Sequence, residues 1–228
     1  MNDSKKIICI IPARGGSKGI PKKNIINFLG KPLISHSINY AQASSLIHKI
    51  YVSTDCNEIA KIASKSKVNV IKRPDSISDD FASTESALIH AIESLNYTPD
   101  IIVLIQPTSP LRPKDSLNEA LTSYLSNNYD SLLSISPTHR FFWEIDDDIA
   151  IPKYNFNRRP RRQDFKKGDI KYVENGSLYI TSYDNLIKNK NRLGGKIGYV
   201  IFDEMYSHEI DSINDLRYLE SVARNLND

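Results

Sequence analysis

The chain has 228 residues, 40% hydrophobic and 25% charged, with 30 Lys plus Arg against 27 Asp plus Glu and a formal net charge of +3. That composition belongs to a globular protein able to bury a core without disulfide or metal staples, and it excludes disordered, collagen-like and disulfide-scaffold classes. The longest apolar runs, 7–11 and 101–105, fall far short of the roughly 20 residues of a membrane-spanning helix, and the first six residues lead into a strand-like run rather than a signal peptide. Cys9 and Cys56 are expected to be buried small hydrophobes in a reducing cytoplasm.

In chain order, the continuous apolar run Ile7 to Ile11 predicts a strand covered on both faces, as do Ile50-Tyr51-Val52 and Ile101 to Ile105. Pro32 suits the first turn of a helix carrying Leu33, Ile34, Ile38 and Ala41. Ile59, Ile62 and Ala63 form one helical stripe, and Leu88, Ala91, Ile92 and Leu95 form another. This β-α-β-α-β order implies a parallel sheet with crossover helices. Further strands are expected at 68–71, 131–135, 176–180 and 197–201, with helices over about 116–127 and 212–226. Residues 138–171 break the rhythm with aromatics and basic residues, and are read as a hairpin or arm leaving the sheet. Asp146-Asp147-Asp148 reads as a solvated turn.

Charge is unevenly distributed. Residues 1–100 carry 13 positive and 9 negative side chains, 101–150 carry 3 and 7, 151–200 carry 12 and 4, and 201–228 carry 2 and 7. The first excess centres on Pro12-Ala13-Arg14-Gly15-Gly16-Ser17-Lys18-Gly19-Ile20-Pro21-Lys22-Lys23-Asn24, directly after the first strand, where open α/β sheets bind ligands. Three glycines are expected to give positive φ and to present N–H groups to an anion. Arg14, Lys18, Lys22 and Lys23 match the charge of a triphosphate. Neither G-x-G-x-x-G nor G-x-x-x-x-G-K-[ST] is present, which disfavours a nicotinamide dehydrogenase or a P-loop kinase.

That segment resembles the N-terminal signature of the acylneuraminate cytidylyltransferases, the CMP-sialic acid synthetases, including legionaminic acid-specific members. Val52-Ser53-Thr54-Asp55, Gln106-Pro107-Thr108-Ser109-Pro110-Leu111-Arg112, and Arg161-Arg162-Gln163-Asp164 with Glu174-Asn175-Gly176 match in order, so the resemblance spans nearly the whole chain. It implies an α/β, Rossmann-like three-layer sandwich with a mostly parallel sheet, one domain over 1–228 with 138–171 as an inserted dimerisation arm. It also implies transfer of CMP from CTP to the anomeric hydroxyl of a nine-carbon α-keto acid sugar, with release of pyrophosphate, as a step toward surface polysaccharides.

Such chemistry needs no enzyme nucleophile, only alignment and charge stabilisation. The resemblance assigns Arg14, Gly15, Ser17, Lys18, Lys23 and Asn24 to the nucleotide, with Lys23 offsetting charge at the α-phosphate, and places Arg73 and Ser83 around the cytidine. Arg73 also suits pairing with Asp75 or Asp79, and Ser83 suits a helix N-cap. Gln106, Thr108, Ser109 and Tyr179 are assigned to the sugar. Arg162 is assigned to the sugar carboxylate, with Arg161 as the alternative. CTP chemistry ordinarily uses Mg²⁺ held by one or two carboxylates, here Asp211 and Glu209, the latter standing where the family tends to have Asp. Asp211 could instead cap the last helix, Asp215 is placed within that helix, and His208 reads as a surface residue. The expected partners are CTP, an acidic nine-carbon sugar and a second copy of the chain, with neither nucleic acid nor membrane. Another reading, a non-catalytic nucleotide- or RNA-binding protein, would use the basic run 158–167 with its neighbouring aromatics.

Overall fold

A computed structural model describes residues 5–166 and 168–226, and for Arg162 the backbone only. Its strands are β1 (Ile7–Pro12), β2 (Asn27–Phe28), β3 (Lys31–Pro32), β4 (Lys49–Thr54), β5 (Asn69–Lys72), β6 (Ile101–Ile105), β7 (Ser131–Thr138), β8 (Trp143–Asp146), β9 (Ile149–Pro152), β10 (Lys171–Ser182) and β11 (Ile197–Ile201). The helices are α1 (Leu33–Gln42), α2 (Asn57–Lys65), α3 (Thr84–Glu93), α4 (Ser116–Ser126), α5 (Tyr183–Asn189) and α6 (Ile213–Asn225).

Seven strands form one sheet in the order β11-β7-β10-β6-β1-β4-β5. All neighbours are parallel except β10, which runs antiparallel to both β6 and β7. The sheet is therefore α/β and mostly parallel, as the alternation of elements predicts. Strand β1 lies between β4 and β6, so the chain leaves β1 toward one edge and returns past it. The loops following β1 and β6 open a crevice at that switch point.

The pleat divides the core. Ile7, Cys9 and Ile11 join a cluster with α1, α2 and α4 on one face, while Ile8 and Ile10 join one with α3 and α5 on the other. A third cluster packs Ile20, Phe28 and Leu33 against Ile210, Leu216 and Leu219. It fixes the loop after β1 to the start of α6. Helix α6 begins with a reciprocal capping box between Ser212 and Asp215.

Several boundaries differ from expectation. Strand β5 begins at Asn69 rather than Val68: α2 ends at Lys65, two residues after the last residue of its apolar stripe, and Lys67 at φ 59° then turns the chain into the strand. Pro32 precedes α1 as its N-cap rather than filling its first turn. Cys9 is buried, but Cys56 is half-buried beside the loop after β1, and both are free thiols. Strands β7 and β10 are longer than their apolar segments, running to Thr138 and from Lys171, which pair directly with each other. Beyond that pair the chain leaves the sheet. It forms the separate hairpin β8-β9, with Asp147 and Asp148 in its exposed turn at positive φ. Phe141 packs on Tyr154 and Phe165, Trp143 on Tyr154, and the Arg159 guanidinium lies 4.5 Å from the Phe141 ring centre. These aromatics pack together at the base of the hairpin without being fully buried, while Ile145 and Ile149 on its outer surface remain exposed.

Candidate active site

The basic loop is held at four points. The Ala13 N–H donates to the Ser53 carbonyl at 2.9 Å, and the Gly15 N–H to Asp55 Oδ1 at 2.8 Å. Asn24 Nδ2 donates to the Arg14 carbonyl at 2.9 Å, and Ile20 is buried in the third cluster. Buried Asn24 therefore braces the loop from below.

The three glycines do not act as expected. None of Gly15, Gly16 and Gly19 has positive φ; in this loop it is Lys22, at φ 55°, that does. A Cβ on Gly15 would lie 2.8 Å from Cys56 Cβ, and one on Gly19 would lie 2.5 Å from the Asp211 carbonyl oxygen. They permit close approach. The N–H of Gly15 is engaged by Asp55, so in this structure it is turned to the support of the loop.

Between these anchors, Arg14, Ser17, Lys18 and Lys23 line a cleft of about 540 Å³. Its other walls come from Arg73, from Asp80 to Thr84, from Gln106 to Thr108, and from Asp211. Every positively charged loop side chain in the cleft already faces a carboxylate. Arg14 and Lys18 both bind Asp80, at 2.7 and 2.8 Å, and Lys23 meets Asp211 at 3.0 Å. Lys18 first, then Arg14, hold the Asp80 carboxyl below the ordinary carboxylate range.

Arg73 pairs with neither Asp75 nor Asp79. It is buried, and donates from Nε and Nη2 to the hydroxyl and carbonyl of Ser53 at 3.2 and 2.7 Å. Burial lowers its pKa, with Asp55 opposing that shift. Ser83 lines the cleft and also caps α3, accepting from the Ser86 N–H at 3.0 Å. The N-cap role is therefore compatible with a place in the cleft wall.

The floor is built on Arg112. Its Nη2 donates to the Gln106 carbonyl at 2.7 Å, its Nε and Nη2 approach the Ser177 carbonyl, and Nη1 reaches the Ser37 hydroxyl at 3.2 Å. The Tyr40 ring lies 5.0 Å away. Withdrawal of this guanidinium from water pulls its pKa down to about 10. Arg112 thereby ties the loop after β6 to the irregular segment of β10 between Glu174 and Tyr179. Ser109 belongs to the same support. It is fully buried, its hydroxyl donates to the Asn175 carbonyl at 3.4 Å, and it does not reach the cleft.

Glu209 is half-buried and accepts from the Thr108 hydroxyl at 3.2 Å. It sits over Gly176, whose φ is +66° and where a Cβ would overlap the Glu209 carboxylate. Burial, and next the charge of Asp211, raise its pKa. Glu209 and Asp211 line a second cavity of about 400 Å³ with Arg140, Phe142 and His208, and Asp211 is common to both cavities. His208 is part of that wall, stacked edge-on against Tyr218. The cap of α6 is Ser212, which leaves Asp211 exposed at the mouth of the cleft. Among the described residues no group of three or more His, Cys, Asp or Glu could cage a metal. Two adjacent carboxylates, one desolvated and repelled by the other, are a donor set that suits Mg²⁺ shared with substrate phosphates.

Tyr179 lies apart from both cavities. It is buried, its hydroxyl donates to Glu174, and the Arg192 guanidinium lies 4.5 Å from its ring centre. Arg161 pairs with Asp164 at 2.6 Å. The side chain of Arg162, the proposed carboxylate ligand, lies outside the described residues. Sequence reasoning missed Asp80, an isolated aspartate in a turn that carries no motif, and it gave no role to Asp55 although Val52-Ser53-Thr54-Asp55 is a recognisable segment; only the fold brings the two to the loop.

Two solved structures share the fold. The CMP:2-keto-3-deoxy-manno-octonic acid synthetase complexed with CTP aligns with TM-score 0.71 at 15% identity, and the 4-diphosphocytidyl-2C-methyl-D-erythritol synthase from Anaerococcus prevotii with 0.69 at 13%; each alignment covers 97% of this chain and 100% of the other. Curated relatives are nearer in sequence. N-acylneuraminate cytidylyltransferase A of Danio rerio is 38% identical over 213 residues, 91% of this chain and 48% of that protein. A pseudaminic acid cytidylyltransferase of Campylobacter jejuni is 36% identical over 227 residues, 96% of this chain and 97% of that one. An N-acylneuraminate cytidylyltransferase of Streptococcus agalactiae is 31% identical, over 92% of this chain and 51% of the other. The chain thus spans about half the length of the Danio and Streptococcus relatives and nearly all of the Campylobacter one. The cytidylyltransferase family model matches residues 8–223, a span that contains every residue of both cavities, and the chain belongs to that family.

Proposed function

We propose that this chain transfers CMP from CTP to the anomeric hydroxyl of a nonulosonic acid. The observation that carries the reading is the convergence of Arg14, Lys18 and Lys23 on one cleft at the switch point, with Asp211 opposite them. Arg14 and Lys18 would take the β- and γ-phosphates. Lys23 is the least exposed of the three at 15%, and would face the α-phosphate. As the sugar oxygen bonds to the α-phosphorus and the bond to the β-phosphate oxygen breaks, charge grows on both sides of that phosphorus. Fixed cations stabilise it without reorganisation. Arg73, Ser83 and the adjoining backbone would hold the nucleoside, and Gln106 and Thr108 would face the acceptor. Asp211 and Glu209 would hold Mg²⁺, which when bound polarises phosphate oxygens.

The second cavity, open beside Asp211 and containing Arg140, has room and charge for an acidic sugar. Relatives named for N-acylneuraminate and for pseudaminic acid make this acceptor class the one to test. The 138–171 arm would join two copies of the chain: its outer face exposes Ile145 (74%) and Ile149 (66%), and aromatic and apolar residues are favoured at such contacts. No helix among the described residues is long and apolar enough to cross a membrane, and two free thiols suit a reducing cytoplasm.

The test is pyrophosphate release from CTP and Mg²⁺ with N-acetylneuraminic, pseudaminic and legionaminic acids, ranked by kcat/KM. Turnover with one of them supports the reading. No release with any, together with salt-sensitive RNA binding lost on replacing Arg158 and Arg159, would favour the non-catalytic alternative.

A further inference from the structure

Asp80 holds an unusual place: one carboxylate engages two of the three loop cations that line the cleft, with Arg14 Nη2 at 2.7 Å and Lys18 Nζ at 2.8 Å. Arg14 Nη1 also donates to the neighbouring Asp79 carbonyl at 2.6 Å. These are the positions that the β- and γ-phosphates would occupy. Lys23 is not shared, since its partner is Asp211. We propose that Asp80 is an internal anion that competes with the β- and γ-phosphates for Arg14 and Lys18, and so weakens the hold on pyrophosphate once the α-phosphate bond has broken. The inference rests on the reading of the basic loop as the triphosphate site.

The segment carrying Asp80 is shaped for exchange. Asp79 Oδ1 accepts from the N–H groups of Phe81 and Ala82 at 3.0 and 2.8 Å, and Ser83 then caps α3. The turn is closed by its own bonds, so opening the Asp80 ion pairs does not dissolve it. Phe81 at the tip is 94% exposed, so its side chain does not anchor the turn in the core. A polyphosphate carrying several charges outcompetes a single exposed carboxylate for the same two cations, and a lone α-phosphate, facing Lys23, leaves the Asp80 contacts in place. After transfer, pyrophosphate has lost its covalent tether to the nucleoside while Asp80 remains tethered nearby, so the carboxylate returns at high effective concentration.

The experiment is calorimetric binding of CTP, CMP and pyrophosphate, all in one magnesium buffer, to the wild type and to D80N, with D80E as the charge-preserving control. D80N should bind CTP and pyrophosphate about three- to tenfold more tightly, the range of two partly exposed ion pairs. CMP affinity should not change, and D80E should stay near the wild type. Pyrophosphate should become a stronger product inhibitor of D80N by the same factor. Unchanged or weaker CTP and pyrophosphate binding would overturn the proposal, showing that Asp80 merely organises the loop. Equal tightening of CMP would also overturn it, as a general effect of removing negative charge. R14A and K18A separate this failure from that of the underlying reading: if neither weakens CTP binding, the basic loop is not the triphosphate site.

Discussion

Replacing Gly19 with alanine tests whether the site depends on the basic loop lying directly against the Asp211 segment. The added Cβ would stand 2.5 Å from the Asp211 carbonyl oxygen, against about 3.4 Å for ordinary contact, so the two segments must part by roughly 0.9 Å. Neither can yield by turning a side chain, because the obstructing atom is backbone, and Ile20 next to Gly19 is locked in the cluster with Ile210. Overpacking of this kind costs about 1–3 kcal/mol, which for a chain of this length lowers Tm by roughly 2–10 °C. The parting also separates Lys23 from Asp211, and a misplacement near 1 Å lowers kcat by about 10- to 100-fold. Pyrophosphate-release kinetics and calorimetric melting would measure both. Gly16→Ala is the control, since its Cβ would meet nothing within 4 Å and its Tm should not move. A G19A enzyme with wild-type kcat and Tm would refute the claim that this approach sets the geometry.

Three further outcomes follow from other contacts. Arg112→Met leaves the Gln106 and Ser177 carbonyls without their donor and should cost about 2–4 kcal/mol in chemical denaturation; a loss below 0.5 kcal/mol would show that water replaces the guanidinium. For Glu209, a pKa raised by burial means the folded state binds the proton more tightly, so ionisation costs stability above the folded pKa and the cost vanishes below the unfolded value of about 4.3. Without divalent cations E209Q should therefore melt above the wild type at pH 7 and converge with it as the pH falls toward about 4; a gap independent of pH would refute this. If the arm joins two copies, replacing Ile145 and Ile149 with lysine should convert a dimer to a monomer in light scattering at unchanged Tm, and a persistent dimer would place the contact elsewhere.

Much of this architecture was legible because burial on both faces forces a continuous apolar run. Residues 7–11 and 101–105 are strands for that reason, and the helical stripes between them leave a parallel arrangement as the natural solution. The first half of β10 was not legible. Lys171 to Glu174 are mostly exposed polar residues paired only with β7, and their order comes from that neighbour. At the site, the composition of residues 12–24 marked a basic, glycine-rich loop but not its wiring. The resemblance assigns Gly15 and Asn24 to the nucleotide; the structure adds that the Gly15 N–H is bonded to Asp55 and that Asn24, while lining the cleft, also supports the Arg14 carbonyl. Ser109 and Tyr179 occur in recognisable segments, yet the sheet turns both away from the cleft. Asp80 was invisible because its partners lie more than sixty residues earlier and nothing local marks it.

The direct pairing of Thr138 with Lys171 has an engineering consequence. The two ends of the arm meet at one rung of the ladder, as the two stems of a hairpin meet at its turn, so the β8-β9 hairpin and its flanking segments hang from the sheet at that rung. Closure entropy grows only slowly with loop length, so the sheet is nearly indifferent to what hangs there. A turn of another length could be spliced in beyond Phe142 while β7 and β10 keep their register and Arg140 and Phe142 keep their place in the second cavity. The cleft lined by Arg14, Lys18 and Lys23 stays in place under such a change, whereas the second cavity, which takes Arg140 and Phe142 from the arm, would change with any replacement that reached those two residues.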